Sequence, residues 1–142
     1  MSLESAKTII QILSACATAI AAIGALLVYR TNSRRERARW AENLYARFFE
    51  RPELKAVREK LDCDAGDRGV TQLVTAESAD LTDYLNFFEF VAYLQSSKQL
   101  GESDVVALFG YYLGCLRRHR EVTEYIGDPQ KGFEYLNRML SK

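Results

Sequence analysis

The residues with most chemical potential lie in one short run, Arg117-Arg118-His119-Arg120, preceded by Tyr111 and Tyr112. Guanidinium forks match phosphate oxygens two at a time, and tyrosine rings can stack on bases. The pattern therefore points to an anionic, nucleotide-like ligand rather than to bond-breaking chemistry. His119 is the single histidine of the chain. No Gly-rich phosphate loop, nucleophile elbow or metal-spaced His/Cys set accompanies it, so no catalytic residue, metal or cofactor is expected. An acidic Asp62-x-Asp64-x-x-Asp67 run lacks the closing glutamate of a calcium loop and reads as solvated. The competing reading of the basic run is a surface helix whose arginines pair with Glu121 and Glu124 at i+3 and i+4. Four consecutive helical positions point in different directions, so they cannot all serve one face. Arg117 and Arg120 share a side. In an oligomer, each copy could bring such an arginine to one central anion.

What positions this run is set by the other end of the chain. Thr8 to Tyr29 are 22 positions without a charge, followed by Arg30, Arg34, Arg35, Arg37 and Arg39. A helix of that length spans about 33 Å, against about 30 Å of bilayer hydrocarbon. A cleaved signal is a poorer fit, because Glu4 and Lys7 cancel in the leader and the basic cluster follows the apolar run. Leu13-Ser14-Ala15-Cys16 resembles a lipoprotein box, yet cleavage there would strand the rest of the apolar run on the mature protein. A buried core helix is the remaining alternative. The arginines on one flank predict a bacterial inner-membrane protein with its N-terminus outside and residues 30–142 in the cytoplasm.

The expected span has two faces. At 100° per residue, Gln11, Ser14, Thr18, Ala22 and Ala25 fall along one line. Ile9, Leu13, Cys16, Ile20, Ile23 and Leu27 fall opposite. Small residues let helices approach in lipid, and polar ones find partners across the contact. The stripe therefore predicts a homo-oligomer, with spans packed along it or a pore lined by it.

Charge follows the same division. The chain holds 19 basic and 19 acidic residues. Residues 30–60 carry ten Lys/Arg against five Asp/Glu, and residues 61–142 eight against thirteen. The basic part suits anionic lipid head groups. The three cysteines, Cys16, Cys63 and Cys115, form no disulfide framework or zinc spacing.

The fold class expected is all-α: an N-terminal transmembrane helix continuing into a cytosolic helical bundle. Residues 1–29 make the N-terminus and span, 30–51 a basic stem, and 52–142 the bundle, of about four helices. Trp40, Leu44 and Phe48 form a ridge at i, i+4, i+8. Pro52 opens a helix with Leu54, Val57 and Leu61 inside. Residues 62–79 read as a long loop with at most a turn near Gln72 to Val74. Leu81, Leu85, Phe88 and Ala92 mark a helix ending near Gly101. Val105, Phe109, Leu113 and Leu116 mark another that runs through Val122 to Ile126. Asp128-Pro129 is expected to cap the last helix, which carries Phe133, Leu136 and Leu140.

The span, the Arg-rich stem with Trp40, Leu85-Asn86-Phe87-Phe88-Glu89 and Phe109-Gly110-Tyr111-Tyr112 together resemble a class of small, uncharacterised bacterial membrane proteins with a helical cytosolic domain. The pattern also looks like the membrane effectors of bacterial antiviral systems, among them those of type III CRISPR and Hailong. That resemblance implies an oligomeric effector. Its cytosolic domain would read an oligonucleotide second messenger, not duplex nucleic acid, and its spans would perturb the membrane lipid. The alternative is a membrane-anchored interaction module whose span only tethers.

Overall fold

The computed structural model describes residues 3–62 and 68–141. Cys63, Asp64, Gly66 and Asp67 lie outside the described residues, and with them most of the acidic run. Among the described residues the regular elements are all α-helices: α1 Leu3–Glu50, α2 Pro52–Leu61, α3 Arg68–Thr75, α4 Ala79–Ser96, α5 Glu102–Arg118, α6 Arg120–Gly127 and α7 Glu134–Leu140. The chain divides into two compact units, Met1–Arg39 and Trp40–Lys142.

The first unit consists of the earlier turns of α1. Between Gln11 and Tyr29 every side chain is exposed, with Ile20 at 71 %. Its most apolar stretch has a mean hydropathy of 2.2 and is long enough to cross a membrane. Thr18 donates its hydroxyl to the Ser14 carbonyl one turn back, at 2.9 Å. Thr31 does the same to Leu27 at 2.9 Å. Thr18 is thus satisfied inside its own helix and needs no partner across a contact.

The second unit is built around Phe48, which is 0 % exposed. Its ring lies 4.8 Å from Tyr112, 5.0 Å from Phe87, 5.4 Å from Phe88 and 5.6 Å from Phe109. Arg58 of α2 sets its guanidinium 4.7 Å from the Phe48 ring and 4.6 Å from the Phe49 ring. The same guanidinium donates to the Phe48 carbonyl, which belongs to the last turn of α1 and has no acceptor role within that helix. One side chain therefore caps α1, covers two rings and holds α2 against them. Pro52 stands in the first turn of α2, where its missing N–H costs nothing. Leu54, Val57 and Leu61 are buried as their spacing predicts.

Helix α4 supplies the largest share of the core, through Leu81, Tyr84, Leu85, Phe88, Val91, Ala92 and Leu94. Glu89 of the same helix accepts from the backbone amides of Tyr135 at 3.0 Å and Leu136 at 2.7 Å. Those are free donors of the first turn of α7, and a carboxylate there also meets the positive end of the helix dipole. The conspicuous Phe87-Phe88-Glu89 segment is therefore a packing and capping device.

Three expectations need correction. The stretch 62–79 is not all loop: Arg68–Thr75 forms α3, with Val70 and Leu73 buried. Helix α3 ends at Thr75, and Glu77 just beyond it takes a positive φ of 46°. Ser78 N bonds Leu73 O and Glu77 N bonds Val74 O at 3.1 Å each, a left-handed helix stop without glycine. Lys131 reaches Glu77 Oε1 at 2.7 Å. Second, the helix that starts at Glu102 does not run on to Ile126. It breaks at His119, whose extended backbone (φ −96°, ψ 108°) closes α5 and opens α6. The part after the first helix therefore has six helices among the described residues, not about four. Third, Asp128-Pro129 does not cap α7. Asp128 caps its own turn, accepting from Gln130 N at 2.9 Å, and Gly132 turns the chain at φ 79°. The helix starts later, at Glu134, with Glu89 as its cap.

Replacing Phe48 by alanine should cost about 3–5 kcal/mol in denaturant unfolding of the detergent-solubilised chain. Glu89→Gln should cost about 1 kcal/mol and speed hydrogen exchange at the Tyr135 and Leu136 amides before elsewhere.

Candidate functional site

The Arg/Tyr run is held by α5, the His119 break and the start of α6. Its six side chains do not converge. Tyr112 is half-buried and packs its ring on Phe48 and on Phe49, 5.8 Å away. Tyr111 is exposed, one position further round α5, and donates its hydroxyl to Asp62 Oδ1 at the end of α2. That hydrogen bond pushes the Tyr111 phenol up to about 12, with smaller contributions from burial and from Cys115. Asp62 gains a partner in the process, so the α2–α5 contact closes on a polar pair.

Arg117 turns toward α7. It donates Nε to Leu140 O at 3.1 Å and Nη2 to Met139 O at 3.2 Å. These are the open carbonyls at the end of α7, where a cation also suits the helix dipole. Arg120 pairs with Glu124 at 2.7 Å, one turn along α6 and largely exposed. Such a pair adds a few tenths of a kcal/mol. Glu121 is occupied elsewhere: its own backbone and the Thr71 hydroxyl, 3.0 Å away, hold its carboxylate below the usual range. Arg118 is exposed. The Arg120–Glu124 pair is the local pairing read from spacing, while Arg117 takes a partner that no local spacing contains.

His119 is 0 % exposed. Its Nε2 sits 2.9 Å from Leu61 O, the carbonyl end of α2. Nδ1 is buried without a partner among the described residues. A histidine so placed joins α2 to the α5–α6 break and cannot reach a ligand in bulk solvent. The same region contains Cys115, whose thiol burial pushes up, and Tyr84, whose phenol burial pushes up further. Both changes favour the neutral, unreactive forms.

A different set of residues forms a concavity. Trp40, Asn43, Leu44 and Arg47 from α1 line a groove with Phe90 of α4, about 260 Å³ in volume. A second cleft of about 540 Å³ is lined by Arg47, Arg51 and Leu54 with Glu50, Glu53 and Asp83. Trp40 lies on one helical ridge with Leu44 and Phe48. The structure buries Leu44 and Phe48 and leaves Trp40 47 % exposed. Its i, i+3, i+7 relation to Asn43 and Arg47 is the signal that could have found the groove. Among the described residues no group of His, Cys, Asp and Glu is arranged to hold a metal ion. Comparison with family models, curated proteins and solved structures finds no match to the chain.

The Tyr111–Asp62 pair has a pH signature. The phenol is raised in the folded state, so its contribution to stability is complete below the ordinary tyrosine value of about 10. It is lost as pH rises through about 12. Ultraviolet titration of Asp62→Asn should bring one tyrosine back toward about 10. An unchanged tyrosinate titration would refute the pair.

Proposed function

We propose that this chain is a single-pass membrane protein whose helical bundle is a membrane-tethered interaction module, working as an oligomer. The observation that carries the reading is the fully exposed apolar surface of Gln11–Tyr29. In water it would be a large unpaired hydrophobic patch, and in lipid it needs no cover. The arginines after Tyr29 favour the bundle on the cytoplasmic side. Gln11 and Ser14 remain on the small-residue face, where close helix approach is available. The spans then associate along Gln11, Ser14, Thr18, Ala22 and Ala25, and the bundle is displayed at the membrane surface.

The second reading is the oligomeric antiviral effector, with the same spans opening in response to a nucleotide. The polar residues of the stripe favour it. The Arg117–Arg120 run does not, since Arg117, His119 and Arg120 serve internal contacts. A ligand acts on the spans only if it binds one of their arrangements better.

Oxidative cross-linking separates the faces. In vesicles, a Cys16→Ser, Ser14→Cys chain should form disulfide-linked dimers, whereas the natural Cys16, on the opposite face, should not. Equal cross-linking at both positions would contradict packing along the stripe. Dye leakage from the same vesicles on adding short oligonucleotides would favour the effector, and intact vesicles the tether.

A further inference from the structure

Trp40, Asn43 and Arg47 project from successive turns of α1 and share one groove with Phe90. Trp40 is 47 % exposed and Phe90 44 %, so two aromatic side chains are accessible to solvent beside the buried Leu44. Arg47 is exposed. The ion pairs among the described residues join Lys55 to Glu59, Arg120 to Glu124 and Lys131 to Glu77, and Arg47 belongs to none of them. We propose that this groove binds a nucleoside monophosphate, its base against Trp40 and Phe90 and its phosphate on Arg47.

Each part follows from side-chain chemistry. Tryptophan and phenylalanine offer flat π faces on which any base can stack. A guanidinium gives phosphate two parallel hydrogen bonds. The Asn43 amide both donates and accepts, which suits the edge of a heterocycle. Size limits the ligand: about 260 Å³ is just under the usual range of roughly 300–1,000 Å³ for small-molecule sites. Charge limits it further. Beyond Arg47 the neighbouring cleft presents Glu50, Glu53 and Asp83 against one further cation, Arg51, a net acidic lining that disfavours additional phosphates. A volume of about 260 Å³ suits one base with one phosphate. The inference concerns the bundle and stands whether or not the spans associate.

Trp40 is the only tryptophan of the chain, so its fluorescence reports the groove directly. The full chain in detergent should be titrated with the 5′-monophosphates of adenosine, guanosine, cytidine and uridine. Parallel titrations should use the free nucleosides, inorganic phosphate and short-chain phosphatidylglycerol. At least one monophosphate should quench Trp40 saturably. Its nucleoside and inorganic phosphate should each bind at least about tenfold more weakly. Arg47→Gln and Phe90→Ala should each weaken binding about tenfold while far-ultraviolet circular dichroism stays unchanged. Both side chains are exposed enough to be replaced without unfolding the core. No saturable change with any monophosphate would overturn the proposal. So would an equal response to inorganic phosphate alone, or saturation by phosphatidylglycerol in place of the nucleotides.

Discussion

The bundle depends on what happens at Phe48. A long helix ends two residues later with carbonyls to satisfy, and this ring of its last turn must be taken out of water. Arg58 does the first, by donating to the Phe48 carbonyl, and helps with the second by covering the rings of Phe48 and Phe49. The rings of Phe87, Phe88, Phe109 and Tyr112 complete the enclosure. Burial of one phenylalanine is worth about 1.5–3 kcal/mol, and each aromatic pair adds about 0.5–1.5. These contacts draw on α1, α2, α4 and α5 together. The remaining helices are fastened by polar devices at their ends: Glu89 starts α7, Arg117 closes it, and His119 ties the α5–α6 break to α2.

The same devices occupy the residues with most chemical potential. His119 has one nitrogen on a helix-end carbonyl and the other enclosed. An arginine bound to two carbonyls of α7 has given its fork to the fold. What remains outward is of another kind: the aromatic and cationic residues of one α1 face near Phe90, and the uncharged surface between Gln11 and Tyr29. The first invites a small planar anion. The second is long and apolar enough to cross a membrane.

Helical class and most core positions could be read from the sequence because they rest on period. Leu81, Leu85, Phe88 and Ala92 recur at 3.6-residue spacing, and all four are buried. Pro52 announces its helix by a property of proline alone. The errors arise where tertiary contacts override local signals. Helix α3 was hidden because its stop uses Glu77 in a left-handed conformation where glycine would be expected, with Lys131 reaching it from far along the chain. The break at His119 carries no Gly or Pro; it is set by a carbonyl 58 positions earlier, at Leu61. Asp128-Pro129 has the composition of a helix start, yet the real cap, Glu89, lies 45 positions before Glu134. The run Arg117–Arg120 diverges, as four consecutive helical positions must, but the partners of Arg117 and His119 lie on α7 and α2, beyond the reach of local spacing. Trp40 shares its ridge with Leu44 and Phe48 yet stays 47 % exposed, because periodicity does not distinguish the buried middle of a face from its rim.

The central claim is that the uncharged part of α1 lives in lipid. Cys16 lies within it and is exposed on the helix surface. In intact membranes containing the full chain, a membrane-impermeant maleimide should leave Cys16 unmodified, as read by peptide mass, and should modify it after detergent is added. Modification of Cys16 at the same rate before detergent would place this segment in water and contradict the account.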